Sequence, residues 1–348
     1  MGFVVRHLDH NFAGLGEAIP EQLQYTYTLA EPSTVQYELD INHNLATRAS
    51  VQPYVTDFLL LRNGTEFLGG LHTGVSLDEV LIRLQISGKD YKHYLEKRQF
   101  PFDPTDLTAY TFEKPATDVF VIAEAILAVV LAETNSLQMF YANGLLGQTI
   151  DYRIDPGDSE TIYEKISQFA EADTNGFDWL VTHDRWVRFY APQKGAANSY
   201  IFERGKNLEA LSFEDNGPVG NHCLGLGAGT ASRLGSVVDN AASQATYRRL
   251  DKVMDFGAAV IDQAALDDLA TGMAAGHGMP RLKIQAEVVF DYIDEVFDEV
   301  ALGDTCRFIG DTHYLSIDAN YRIIGFQGGQ RDSESTEQLT LLLQEEIT

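Results

Sequence analysis

Leu59-Leu60-Leu61-Arg62-Asn63-Gly64-Thr65-Glu66-Phe67-Leu68 sets an Asn-Gly pair between two apolar runs. A two-residue type I′ turn needs positive φ at both central positions, which Asn and Gly adopt with little strain. The stretch reads as a β-hairpin, with a strand from Phe58 to Arg62 on one side and Gly69-Gly70 ending the strand on the other. Asn63-Gly64-Thr65 also fits a glycosylation sequon, but Met1 to Asp9 lacks a cationic start followed by an apolar run. Without a secretory signal the turn is the better reading, and synthesis and folding in a cytoplasm are expected.

Working outward from the hairpin, the same β character extends upstream through Gln24 to Leu29 and Val35 to Leu39, each bounded by Pro, Asn or Gly. Downstream comes a strand from Val80 to Ser87, then Gly88-Lys89-Asp90-Tyr91, where a short helix through Leu95 and Arg98 is expected. Residues 1–110 thus read as one sheet module. Three prolines between Phe100 and Pro115 mark a linker.

Helix signals follow. Thr117 or Asp118 can cap a helix running to about Glu133, apolar on every side and so buried. Asp158 or Ser159 can cap a second, with Ile162, Ile166, Phe169 and Ala170 on one stripe and Gly176 as its stop. Phe177 to Val181 and Trp186 to Tyr190 pair around Thr182-His183-Asp184. Residues 111–197 therefore read as a small α+β domain inserted between β modules.

After Pro192, β character returns in Asn198 to Glu203, Ala210 to Glu214, His222 to Leu226 and from Arg281 onward. Gln263 to Ala274 looks helical, stopped by Gly276 and Pro280, and gives the 198–348 module a flanking helix at about 262–276. The last stretch reads as a meander of Thr305 to Ile309, Arg322 to Phe326 and Gln338 to Leu343, entered through Leu302-Gly303-Asp304. Its outline repeats the first module: strand, tight turn, strand ending in Gly, closing strand. The fold class expected is α+β, mainly β.

The 348 residues suffice for two or three domains with their own cores, and 45% hydrophobic with 11% aromatic content is too apolar for a disordered chain. Against 51 Asp and Glu stand 25 Lys and Arg, a formal net charge of -26, which opposes binding to a phosphate backbone. Two readings of the acidity stay open: solubility, or carboxylates lining a surface past which DNA slides without sticking. Cys223 and Cys306 lie far apart and read as reduced core thiols. The apolar run from Val119 to Leu131 carries Glu124 and falls short of the roughly 20 residues that cross a bilayer, so no membrane insertion is expected.

Chemistry-bearing constellations are few. Gly225-Leu226-Gly227-Ala228-Gly229 invites a dinucleotide site, but GxGxxG spacing puts Thr230 or Ser232 at the last glycine, so a tight backbone crossing is the expectation. Asp291, Asp294, Glu295, Asp298 and Glu299 offer oxygen for calcium but lack the glycine turn of an EF-hand loop; a solvated acidic face is the plainer reading. His7, Asp9 and His10 lack a further metal ligand at useful spacing and read as surface residues. Trp179 and Trp186 could stack on a sugar, yet beside two helices they read as core. No GxSxG, HExxH or Walker A motif occurs. No catalytic, cofactor-binding or metal residue is assigned, and the chain is not expected to be an enzyme.

Several stretches together resemble the hub proteins of siphophage tails, often labelled minor tail proteins in phages of actinobacteria and related to the myophage baseplate hub. They are Tyr27 to Pro32 with the Val35 to Leu39 strand; Leu61-Arg62-Asn63-Gly64 with Phe67 to Gly70; Gly88 to Tyr91 through Tyr94-Leu95 to Lys97-Arg98; Phe177-Asp178-Trp179 with Val187-Arg188-Phe189; Leu224 to Gly229; and Leu302-Gly303-Asp304 ahead of Tyr321 to Ile324. The resemblance spans nearly the whole chain, and its order carries more weight than any one motif. It implies two tail-tube-type β-barrel domains per chain and a homotrimeric ring of pseudo-sixfold symmetry at the tail tip of the virion. The ring would meet distal tail or tail tube proteins, other tail-tip or fibre proteins and the tape measure protein, with DNA only in transit through the lumen. Longer hubs carry cell-wall-cleaving or receptor-binding regions, whereas this sequence stops soon after its last strand, at Thr348. Two rival readings are a tail-tip carbohydrate-binding or cell-wall-degrading protein, which needs a cleft joining the tryptophans to an acid pair, and an NAD-dependent oxidoreductase, which needs a parallel sheet around Gly225.

Overall fold

A computed structural model describes residues 2–29, 31–78, 80–101, 112–133, 136–142, 144–154, 160–170, 176–215, 219–229, 233–256, 260–278, 282–311, 316–330 and 337–345. The expected caps Asp158 and Ser159, Thr230, Ser232, Pro280 and most of the proline-marked linker lie outside the described residues.

The chain opens with β1 (Phe3–Leu8), β2 (Gly14–Ala18), β3 (Gln22–Thr28), β4 (Thr34–Asp40), β5 (Asp57–Arg62), β6 (Thr65–Asp78) and β7 (Arg83–Asp90), then α1 (Lys92–Glu96). Next come β8 (Phe112–Asp118), α2 (Val119–Leu131), β9 (Phe140–Tyr141), β10 (Thr149–Ile154), α3 (Ile162–Ala170), β11 (Asp178–Val181) and β12 (Trp186–Tyr190). The remainder is β13 (Ala197–Glu203), β14 (Leu208–Asp215), β15 (His222–Leu226), β16 (Gly235–Asp239), α4 (Ala241–Tyr247), β17 (Asp251–Asp255), α5 (Gln263–Gly278), β18 (Leu282–Val288), α6 (Ile293–Glu299), β19 (Thr305–Asp311), β20 (Ser316–Gln330) and β21 (Gln338–Glu345). The fold is α+β, mainly β.

The Asn63-Gly64 hairpin forms as its chemistry requires, with φ of 51° and 83° at the two positions. Its second strand, however, does not end at Gly69-Gly70: β6 runs on to Asp78. A Cβ on Gly70 would lie 1.9 Å from the Lys89 carbonyl oxygen, so this glycine serves close strand approach inside the sheet and not termination. The expected Val80 to Ser87 strand starts later, at Arg83, and α1 is shorter than expected, ending at Glu96.

One sheet of 13 strands dominates, with the path β14-β18-β21-β20-β3-β4-β7-β6-β5-β1-β2; β19 also pairs with β20, and β13 with β19. The N-terminal and C-terminal modules are thus fused edge to edge where β20 pairs antiparallel with β3. No closed barrel is present among the described residues, because the path ends at β14 and β2. Both modules share one core, in which Leu23, Tyr25, Val35 and Phe58 meet Phe202, Phe308, Leu339 and Leu341. Fusion removes two exposed sheet edges.

The repeat suspected at the C-terminus is real at the level of topology. The orders β5-β6-β7-β4-β3 and β19-β20-β21-β18-β14 correspond strand for strand. Each has a long middle strand, 14 residues in β6 and 15 in β20. Each middle strand carries a bulge directly before a glycine, between His72 and Gly74 and between Ile323 and Gly325.

The inserted α+β part has its own core around α2, whose Ile122, Ala123, Ile126 and Leu127 are fully buried. Asp118 caps α2 by accepting from the Phe120 N–H. For α3, Thr161 Oγ1 accepts from the Glu164 N–H at 3.2 Å while the Glu164 carboxylate accepts from the Thr161 N–H at 2.7 Å, a capping box. The β11–β12 hairpin forms with the expected strands, and β9 adds a parallel neighbour.

A second insertion was legible only in two of its parts, the His222 to Leu226 strand and the helix from Gln263. Between β14 and β18, strands β16-β15-β17 make a separate three-stranded sheet on which α5 packs, around Cys223, Met254 and Leu266. The helix expected to flank a barrel belongs to this unit instead.

Candidate functional site

A concavity of about 1480 Å³ lies over one face of the central sheet. Strand alternation builds it: Leu23, Tyr25, Val35, Tyr37 and Ile86 point to the core, and their neighbours point out. In register across the sheet, Gln24 faces Gln36 and Gly329, Gln36 faces Ser87, and Ser87 faces Gly74. The adjacent row sets Thr26 opposite Thr34 and Gln327, and Gln327 opposite Thr340. The wall is amide, hydroxyl and bare backbone.

Glu38 is the one carboxylate in the lining among the described residues, and its charge is met by Arg83 at 3.1 Å, itself held by Glu21 at 2.6 Å. The acidity of the chain is therefore elsewhere than on this wall. Glu214, paired with Lys283, and Glu287, opposite Thr340, lie beyond its β18 end. Among the described residues this groove is not lined with acid.

Charged contacts lock the first insertion to the sheet. Arg185, at the β11–β12 turn, meets Asp57 of β5 at 2.5 Å, and Tyr91 donates its hydroxyl to the same carboxylate at 3.1 Å. Asp178 of β11 pairs with Arg322 of β20 and accepts from the Lys194 N–H. Buried Lys92 donates to the Leu29 carbonyl at 2.6 Å and sits 4.6 Å over the Trp179 ring. Burial pushes the Lys92 ammonium down to about 8, opposed by Asp90.

The residues singled out in the sequence do not converge. Gly225 lies in β15, where a Cβ would come 3.0 Å from Ala270 of α5, and the glycine stretch leads toward antiparallel β16. Those glycines permit close helix-on-strand packing. In the acidic run Ile293 and Val296 are buried, Asp294 is 2.6 Å from Arg62, and Asp291, Asp298 and Glu299 are exposed. His7 is a correction: it is fully buried, 3.3 Å from the Ser50 carbonyl and with its ring tilted against His72 at 5.3 Å, because β1 turns this face inward. Asp9 accepts from the Asn11 and Ala13 N–H groups, and His10 is exposed. Among the described residues no group of His, Cys, Asp or Glu is arranged to hold a metal ion.

Trp179 is core, whereas Trp186 is half-buried against Phe140. Both cysteines are free and buried, and burial pushes the Cys306 thiol up to about 12. Among the described residues no helix is long and apolar enough to cross a membrane. The sequence signal that marked the groove was the Gln22-Gln24-Thr26 and Thr34-Gln36-Glu38 alternation, visible as strand pattern but not as a site.

No family model and no curated protein matches the chain. Solved structures do. A tail protein from Neisseria meningitidis superposes with a TM-score of 0.64 at 15% identity, covering 99% of this chain and 97% of its own. A 43 kDa tail protein of prophage MuSo2 from Shewanella oneidensis gives 0.66 at 13%, covering 98% and 97%. An Escherichia coli type VI secretion component, described as structurally similar to the T4 bacteriophage tail proteins gp27 and gp5, gives 0.52 at 12%, covering 94% and 74%. The chain has the fold of phage tail proteins. The same fold, over 94% or more of this chain, is thus common to two phage or prophage tail proteins and a type VI secretion component.

Proposed function

We propose that this chain is a structural, non-catalytic hub at the tip of a long-tailed phage tail, present in the virion as a homotrimer. The observation that carries the reading is the duplicated meander fused into one sheet over an amide-lined trough. Two tube-type modules per chain, at 1–110 and 198–348 with the insertion at 111–197, give three chains the six repeats needed to meet a hexameric tube.

Under this reading the trough faces the lumen. DNA in transit then passes a wall of neutral amides, which lacks the cations that would hold its phosphates. Distal tail or tube proteins sit on one side of the ring, tip or fibre proteins on the other, and the tape measure protein occupies the channel before ejection. The insertions face outward, where the neighbouring tail components dock.

Immunogold imaging of virions with antibody against the full chain tests the placement: label confined to the distal end of the tail is expected. Label on the capsid or along the tail shaft overturns it.

A further inference from the structure

One copy of a sheet joint is used inside the chain, and among the described residues its counterpart is left open. In the C-terminal module β19 covers only the first half of one edge of β20, residues 316–322, and β3 covers the second half, 325–330. In the N-terminal module β5 covers the first half of the same edge of β6, residues 65–71. His72 is bonded there by the segment before β5. Among the described residues no strand covers the remainder, Thr73–Asp78, although β7 pairs with it on the other side.

The strand equivalent to β3 is β14. Leu23 and Tyr25 pair with Tyr37 and Val35 of β4, as Leu211 and Phe213 pair with Ala286 and Ile284 of β18. Among the described residues no strand covers the outer edge of β14, which ends the sheet path as β2 does at the other side.

We propose that β14 of one copy adds antiparallel to the free half of β6 in a second copy, closing the ring by repeating the β3–β20 joint. The shared bulge sets the register. Gly74 takes the place of Gly325, so the inner pairs Phe326 with Tyr27, Gln327 with Thr26 and Gly328 with Tyr25 become Val75 with Asp215, Ser76 with Glu214 and Leu77 with Phe213.

Exposure supports this occupant. Val75 and Leu77 are 38% and 47% exposed, and the turn after them bears Val80 at 89% with Leu81 and Ile82. Large apolar side chains concentrated along an open strand edge mark an interface and favour strand pairing. Phe213 and Leu211 on the opposite edge are only partly buried, so the joint covers apolar surface on both sides. Where the inner joint has Gly328 and Gly329, the overhang offers Leu77 and an aspartate, giving side-chain packing in place of bare backbone.

The inference rests on the hub reading but fails separately from it. Full-length protein with Ser76→Cys and Glu214→Cys is oxidised with oxidised glutathione, since directly opposed Cβ atoms lie within disulfide reach. Interchain cross-linking into a closed trimer is expected, and none for Ser76→Cys with Glu209→Cys. Val75→Glu with Leu77→Glu, at exposed positions that leave the single chain folded, is expected to weaken assembly at least tenfold by sedimentation. A trimer that neither cross-links at 76 and 214 nor responds to the glutamates overturns this joint and leaves the hub reading standing. A chain that stays monomeric and never cross-links overturns both.

Discussion

The Arg185 guanidinium lies 2.5 Å from the Asp57 carboxylate, and both side chains are almost fully withdrawn from water. The two residues are 128 positions apart. Their pair therefore joins the inserted hairpin to β5, with Tyr91 as third member and the Phe12 ring 4.2 Å from the guanidinium. Burial raises the Asp57 carboxyl from its ordinary range, and Arg185 works against that shift.

Removing one partner leaves a buried charge without its counterion, which costs about 3–5 kcal/mol. Arg185→Met is expected to lose that much in urea unfolding, and Asp57→Leu combined with Arg185→Met to recover more than half. A single-variant loss under about 1 kcal/mol would mean that the pair is hydrated in solution.

Two glycines of the same hairpin separate strain from clash. Gly64→Ala meets open space but keeps a φ of 83°, so a loss of about 1 kcal/mol is expected. Gly70→Ala drives a Cβ into the Lys89 carbonyl of the paired strand, where neither backbone can yield without opening the sheet. Insoluble or unfolded protein is expected for Gly70→Ala, and a folded variant of near-parent melting temperature would show that β6 shifts freely here.

Local chemistry was legible and long-range pairing was not. The Asn63-Gly64 turn, the Asp118 cap of α2 and the Trp179–Trp186 hairpin each depend on residues within a few positions of one another. The β3–β20 fusion joins residues about 300 apart, and no pattern in Gln24 or Gly329 names the other. The β15–β17 pairing is parallel, so its signal is split by β16 and α4 and looked like an isolated strand. The amide wall was written in alternating Gln and Thr, but net charge says nothing of where carboxylates stand, so composition could not tell that this groove is lined by amides.

Acid should loosen the fold through His7 and His72. Burial holds His7 down to about 4 and His72 to about 3, against 6.5 for the free side chain. Between pH 6.5 and about 4 the unfolded chain binds protons that the folded chain refuses, so the stability is present above 6.5 and lost as pH falls. His7 alone accounts for about 3 kcal/mol across that window. Asp90 acts oppositely: burial raises it to about 6, so its contribution is present below the ordinary carboxyl range and lost as pH rises through 6. Urea midpoints at pH 7, 5.5 and 4.5 should fall less steeply in His7→Gln and more steeply in Asp90→Asn; parallel profiles would remove both groups from the linkage.

The acidic run at Asp291 to Glu299 is held for structure. Arg62 meets Glu337 at 2.7 Å and Asp294 at 2.6 Å while its guanidinium carbon lies 4.2 Å over the Phe297 ring, tying the hairpin turn to α6 and β21. Asp294 is thus engaged by a cation already, and the neighbouring carboxylates diverge around a short helix whose Ile293 and Val296 face the core. Millimolar calcium is expected to leave the melting temperature unchanged, since a ligand specific to the folded state would raise it. Arg62→Met should instead lower stability by about 3–5 kcal/mol by stranding Glu337, which is nearly buried. Calcium stabilisation that disappears in Asp294→Asn would reverse the assignment, because it would require Asp294 to leave Arg62 for the ion.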